Sequence, residues 1–215
     1  MNRNEPTPLA QSVAVPAQPL VVHGTELSGH THRAILMLSL LGLPYRLSPA
    51  PADIRRSAAF RKLNPLGQIP VLQDGELVIA DSTAILVYLA KQYAPDSHWL
   101  PHDAVGAAHV QQWLSIASGE VRFGPAAARL MRLWGAPGDR VQIEEIAANL
   151  LQFMEAHLAE RTWLAAEHPT IADVAVYPYV AHAPEGGIAL EPYGAVRNWL
   201  ARIEALPRFL PMPRS

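Results

Sequence analysis

Two periods of apolar residues divide the chain. In the first half they form short blocks between turn residues. Leu20–His23, Tyr45–Leu47, Pro70-Val71-Leu72 and Leu77-Val78-Ile79 each have the length and side-chain type of a strand. Asp74-Gly75, between the last two, is a hairpin turn signal. Between the blocks the spacing becomes helical. Ala34, Ile35, Leu38 and Leu41 predict a helix over Thr31–Leu41 that Gly42 ends. Asp53–Leu63 reads as a helix or helical turn opened by an acidic residue. Ile85, Tyr88 and Leu89 share one face of a helix over Asp81–Tyr93, which Pro95 closes. The order β-α-β-α-β-β-α, over about 75 residues, is a mixed sheet with helices.

From Pro101 onward no strand pattern remains. Ile143, Ile146, Ala147, Leu150, Leu151, Met154 and Leu158 make a helical stripe along Val141–Ala159. His102–Trp134 is helical with a break at Gly124-Pro125, and Thr170–Ala183 and Tyr193–Leu206 are further helices. Trp113, Leu114, Val121 and Met131 have the spacing of core residues. The chain therefore reads as an α/β domain over residues 20–94 and an all-α domain over 101–215, joined through Ala94–Pro101. Residues 1–19, with Pro6, Pro8, Pro16 and Pro19 and no periodicity, read as a flexible extension.

Composition narrows the chemistry more than the fold. With 17 Lys+Arg against 19 Asp+Glu the net charge is −2, which lacks the basic footprint of a nucleic-acid binder. The 215 residues contain no cysteine, so disulfides, Cys-ligated zinc, iron–sulfur clusters and a protein thiol are excluded. Apolar runs such as Ala34–Leu41 are shorter than the roughly 18 residues of a membrane span, and the first residues lead into prolines rather than an apolar leader core. No membrane association and a cytoplasmic location are the resulting expectations. His23, His30 and His32 fall short of a zinc set and read as surface or supporting histidines, so no metal is expected.

Three segments carry candidate chemistry. In Leu63-Asn64-Pro65-Leu66-Gly67-Gln68-Ile69-Pro70-Val71-Leu72, a turn leads to a proline at the start of a central strand, where it cannot donate to a ladder. A cis Ile69–Pro70 bond would turn the Ile69 backbone outward, where an extended peptide could pair with it. In Asp81-Ser82-Thr83-Ala84-Ile85-Leu86 the first two residues are helix caps, and the helix N-terminus is a site for a carboxylate, with Asp81 placed to meet an ammonium. In Leu27-Ser28-Gly29-His30-Thr31-His32-Arg33 a hydroxyl lies between strand and helix, at a crevice where α/β proteins bind ligands.

Together these segments resemble the glutathione transferase family. Asn64-Pro65-Leu66-Gly67-Gln68-Ile69-Pro70 is similar to its Asn-Pro-x-Gly-x-(Val/Ile)-Pro signature, and Asp81-Ser82-Thr83-Ala84-Ile85-Leu86 to its (Glu/Asp)-Ser-x-Ala-Ile-x segment. Thr170-Ile171-Ala172-Asp173 is similar to the capping box that opens a central helix of its C-terminal domain. The resemblance spans about Leu20 to Phe209. It implies a thioredoxin-like N-terminal domain that binds glutathione, and a helical-bundle domain that contributes a pocket for an electrophile. By carry-over, Pro70 is cis and Ile69 pairs with the cysteinyl part of glutathione. Gln68 meets the glycine carboxylate or nearby backbone, Arg55 or Arg56 helps to hold that carboxylate, and Asp81 and Ser82 meet the γ-glutamyl ammonium and carboxylate. The family's catalytic hydroxyl or thiol follows the first strand. With no Cys, and with Tyr45 beyond the first helix, the resemblance leaves Ser28 or Thr31, with His30 between them. Alignment with the Ser-type classes implies Ser28. The implied activity is conjugation of glutathione, as co-substrate, to small hydrophobic electrophiles by a homodimeric enzyme. Peroxide reduction, dehalogenation, isomerisation and a non-catalytic binding or scaffold role share the same fold.

Overall fold

In the computed structural model, which describes residues 14–215, the two periods become two packed domains. Strands β1 (Leu20–Gly24), β2 (Tyr45–Pro49), β3 (Val71–Asp74) and β4 (Leu77–Ala80) form one mixed sheet in the order β2-β1-β3-β4. β1 and β2 are parallel, with Val22 opposite Leu47, and helix α1 (Gly29–Leu41) makes the crossover between them. β3 and β4 form the expected hairpin, with Gly75 at φ 57° in its turn. Of the extension, residues 1–13 lie outside the described residues. In the remainder, the Ala14 N–H donates to the Tyr93 carbonyl at 2.9 Å.

α1 starts two residues before the predicted helix because Ser28 caps it, its hydroxyl oxygen accepting the Thr31 N–H at 3.3 Å. Gly42, left-handed at φ 69°, ends the helix. The predicted apolar stripe was one-sided, yet Ala34, Ile35, Leu36, Met37 and Leu38 are all buried. The cause is a second layer: one flank of α1 faces the sheet and the other faces the helical domain. The expected 53–63 helix is two helices, α2 (Ala52–Arg56) and α3 (Ala58–Leu63). Ser57 divides them, its extended backbone ending one and its side chain capping the other. Helix α4 (Ser82–Tyr93) closes the first domain.

The linker is not slack, since Trp99 is buried and its carbonyl accepts the Ile171 N–H at 2.9 Å. Helix α5 (Ala104–Ser118) is followed by a π-helical turn, Arg122–Ala126, and then α6 (Ala127–Trp134). Pro125 has no N–H to give the ladder, so the predicted break is a widened turn rather than an end. Gly124 permits it, because a Cβ there would stand 2.9 Å from the Ala147 nitrogen of α7 (Arg140–Ala159).

Helix α8 (Ile171–Ala181) is the axis of the bundle and is buried from Ile171 to Val180. Its capping box is complete, with Thr170 and Asp173 each accepting from the other's end of the turn. A short 3-10 turn (Ala183–Gly186) and α9 (Gly194–Glu204) finish the domain. No helix among the described residues is long and apolar enough to cross a membrane.

Candidate functional site

The ends of β1 and β2, helix α2, the Asn64–Pro70 loop, the first turns of α1 and α4, the Arg122–Ala126 turn, α6 and Tyr179 of α8 enclose a cavity of about 1380 Å³. Ser28, Arg55, Gln68, Ile69, Pro70, Asp81 and Ser82 all line it. Arg56 does not: it is exposed, and its Nε donates back to the Ala52 carbonyl at 3.1 Å. Of the two arginines considered together, the wall belongs to Arg55, whose Nε is buried without a partner.

The Asn64–Pro70 segment is shaped by Asn64. Its amide donates to the Gln68 carbonyl at 2.9 Å and its side-chain oxygen accepts the Leu66 N–H at 3.1 Å, so one buried side chain braces both limbs of the loop. Gly67 sits between them at φ 63°. The Ile69–Pro70 bond is cis. Among the described residues the Ile69 N–H and carbonyl have no partner, which leaves both free at the cavity wall.

Asp81 caps α4 from a left-handed backbone, φ 82°, a conformation that costs a residue with a Cβ about 1–3 kcal/mol. One oxygen, Oδ1, accepts from the Thr83 N–H (2.8 Å), the Thr83 hydroxyl (2.6 Å) and the Ala84 N–H (3.0 Å). Its partner Oδ2 is free of these bonds. Partial burial pushes the carboxyl up, but the Thr83 and Ala84 donors and the Arg33 charge outweigh it and hold it below the usual range.

Beneath Ser82 lies Arg33, 1% exposed. Its Nη1 donates to the Ser82 hydroxyl at 3.0 Å and to His30 Nδ1 at 2.9 Å, and its Nη2 to the Ala117 carbonyl at 3.1 Å. Burial draws its pKa down to about 10, so it stays charged at neutral pH, and among the described residues no carboxylate forms an ion pair with it. With the N-termini of α1 and α4, it makes this end of the cavity a site for anions.

Thr31 is fully buried and its hydroxyl accepts the Thr25 N–H at 3.4 Å, behind β1 and outside the cavity lining. Of the Leu27–Arg33 segment, Leu27, Ser28 and His30 line the cavity. Of the surface and supporting readings of the histidines, the surface one does not hold for His32, which is buried against Tyr177 of α8 with its Nε2 unpartnered. Among the described residues no three His, Cys, Asp or Glu side chains are grouped as metal ligands.

The helical domain contributes residues that sequence reasoning did not name. Tyr179 of α8 lies over Gly29, where a Cβ would meet its ring at 2.7 Å. The Ser28 side chain and the His30 amide close on its phenol oxygen, though burial dominates and pushes the phenol up. Arg129 of α6, 2% exposed, bonds Glu185 at 2.6 Å and the Leu27 carbonyl at 2.7 Å, bracing the residue before Ser28. Phe123, Leu130 and Trp134, all half-exposed, give the cavity an apolar flank. The glycine after Ser28 was the available signal, since glycine in a first helical turn marks a close neighbour. Of the predicted core set, Trp113, Leu114 and Val121 are buried and Met131 is half-buried, and none of the four lines the cavity.

Such a site suits an extended, peptide-like ligand with two acidic ends and an ammonium, beside a second, apolar ligand. The N-terminal-domain family model of glutathione S-transferase matches residues 27–92, and the C-terminal-domain model matches residues 141–207. Glutathione S-transferase 3 of Zea mays is 34% identical over 208 residues, 89% of this chain and 91% of its own. A crystal structure of glutathione S-transferase from Pseudomonas fluorescens superposes with a TM-score of 0.85 at 32% identity, covering 91% of this chain and 99% of that one. A glutathione transferase homolog from Drosophila mojavensis, solved with bound glutathione, gives 0.77 at 27% identity and covers 88% and 89%. Both domain models in chain order, and a relative matched along nearly its whole length, make this chain a member of the glutathione S-transferase family.

Proposed function

We propose that the protein binds glutathione along the Gln68–Ser82 side of the cavity, ionises its thiol beside Ser28, and transfers the sulfur to a small apolar electrophile held against the helical domain. The observation that carries this reading is the convergence, on one cavity, of Ser28, the free Ile69 backbone, Arg55, Gln68, Asp81 and Ser82, opposite an apolar flank. Ile69 pairs its N–H and carbonyl with the cysteinyl residue. Ser82 and the first turn of α4 take the γ-glutamyl carboxylate, Oδ2 of Asp81 takes the ammonium, and Gln68 and Arg55 take the glycine end.

The thiol is the harder part. A free thiol with pKa about 8.5 is mostly protonated at neutral pH, and lowering it by about two requires about 2.7 kcal/mol of preference for the anion. The Ser28 hydroxyl supplies it by donating to sulfur, with the positive end of α1 behind it. The sulfur lone pair then forms the S–C bond as the leaving group departs with its electron pair. Ser28 stays a donor and never becomes a nucleophile. The same reading carries the family's homodimer and a cytoplasmic setting.

Calorimetric titration of glutathione into the purified protein near neutral pH, with an aryl-halide conjugation assay beside it, tests the proposal. Micromolar to low-millimolar binding with turnover is the expected result. No binding across that range rejects it and leaves the fold without this ligand. A panel of peroxide, haloalkane and isomerisable substrates then sets conjugation against the other glutathione-dependent reactions.

A further inference from the structure

We propose that His30 is a second catalytic donor: its Nε2–H, fixed by the buried Arg33, hydrogen-bonds to the thiolate of bound glutathione. The inference rests on the glutathione reading above and adds to it a residue and a defined proton. A guanidinium has only donors, so the imidazole nitrogen 2.9 Å from Arg33 Nη1 has to accept. That nitrogen is Nδ1, and the one proton of a neutral imidazole is therefore on Nε2. Arg33 is held in a fully buried setting, because Nη1 donates to the Ser82 hydroxyl as well and Nη2 donates to the Ala117 carbonyl.

The Nε2 atom has no partner among the described residues, and it is not one of the occluded unpartnered nitrogens, so its N–H opens on the cavity that His30 lines. The Nδ1 edge faces Ser82 at 3.4 Å, so the N–H leaves the ring on the far side from α4. His30 stands two residues after Ser28, on the same first turn of α1, and Tyr179 packs edge-on against it at 5.0 Å. The charged groups around the ring are Arg33, Arg122 and Asp81. Burial, then the two arginines, outweigh Asp81 and lower the imidazole to about 3, so the ring is a neutral donor wherever the enzyme would work. His30 is therefore not an acid: the thiol proton leaves to water when glutathione binds, the electron pair stays on sulfur, and Nε2 keeps its hydrogen throughout.

His30→Phe keeps a ring against Tyr179 and removes the donor, and His30→Gln restores an N–H. The bound thiol is titrated by its thiolate absorbance, and kcat and KM for glutathione are measured across pH. Loss of one donor to an anion is expected to raise the bound thiol pKa by about one to two, with kcat at neutral pH down about ten- to a hundredfold. The loss recovers at high pH, KM stays within about twofold, and His30→Gln lies between. In the unaltered protein, nitrogen NMR of the imidazole gives a readout that survives a misfolded variant. It should show the Nε2–H tautomer, with the N–H signal shifted by glutathione and not by S-methylglutathione. An unmoved thiol pKa in a folded, glutathione-binding His30→Phe overturns the inference and leaves the glutathione reading intact, as does the Nδ1–H tautomer. A raised KM at unchanged thiol pKa also overturns it, by assigning the N–H to a ligand carboxylate. Failure of the unaltered protein to bind glutathione overturns both.

Discussion

Asp173→Ala empties one of the most heavily used acceptors in the molecule. The carboxylate is 1% exposed. Its Oδ1 accepts from the Leu164 N–H at 3.1 Å and from Trp199 Nε1 at 2.9 Å, and its Oδ2 from the Thr170 N–H at 2.9 Å and the Thr170 hydroxyl at 3.3 Å. Alanine strands three buried N–H groups, each costing about 1–3 kcal/mol when unsatisfied. Against that, the fold no longer hides a charge, a penalty visible in the carboxyl being pushed above its usual range by burial despite its donors. The net expectation is a loss of about 3–5 kcal/mol, a large share of a stability of roughly 5–15 kcal/mol. Urea unfolding followed by tryptophan fluorescence measures it. Trp199→Phe, which removes one of the donors, should cost about 1–2 kcal/mol, and the double variant should lose less than the sum because the two share one bond. A loss below about 1 kcal/mol for Asp173→Ala, or strict additivity with Trp199→Phe, refutes the reasoning.

Other expectations concern the site and its buried histidines. Ser28→Ala should leave glutathione affinity nearly unchanged and lower turnover by roughly ten- to a thousandfold; unchanged turnover moves the role to His30 or the backbone. Asp81→Ala should weaken glutathione binding in calorimetry and, separately, cost about 1 kcal/mol of capping in an unfolding titration. Equal affinity in the two proteins rejects the ammonium contact. His30 and His32 are held neutral in the fold, chiefly by burial, with pKa values lowered from 6.5 to about 3 and about 4. Below the unfolded value the unfolded chain binds protons that the fold refuses, so stability is complete above 6.5 and falls with pH towards 4. Each contributes about 1.4 kcal/mol per pH unit. Urea midpoints at neutral and mildly acid pH should show the slope, which a flat profile would contradict.

What was legible in the sequence was what neighbouring residues settle among themselves. Gly42, Asp74-Gly75, Asp81 and the Thr170–Asp173 pair act on backbone within a turn of themselves, and each marks its boundary in the structure. Asn64 belongs to the same class, because both of its bonds stay within four residues. What was hidden is what distant segments impose. Ser57 reads as an ordinary helix residue until its backbone is seen to be extended. Nothing next to Arg33 in the sequence marks it as buried, yet a carbonyl from α5 and a hydroxyl from α4 hold it inside. Tyr179 and Arg129 reach Ser28 and Leu27 from the other domain, and no local pattern announces a partner so far along the chain. Ser28 and Thr31 part at the start of α1: Ser28 is the extended N-cap and lines the cavity, whereas Thr31 stands inside the helix and is fully buried.

The π-helical turn at Arg122–Ala126 has a consequence for how this pocket changes over evolutionary time. A π turn holds one residue more than an α-helix needs to cover the same length. Every side chain after it is therefore displaced by one step, about 100° around the axis. Arg129, Leu130 and Trp134 follow the turn, and their aim into the cavity depends on that added step. Deleting one residue here would restore regular helix and rotate the whole wall at once, whereas substitution alters one position at a time. The sheet side of the cavity would be untouched. A single insertion or deletion can thus re-aim the whole helical wall of the cavity against an unchanged sheet side.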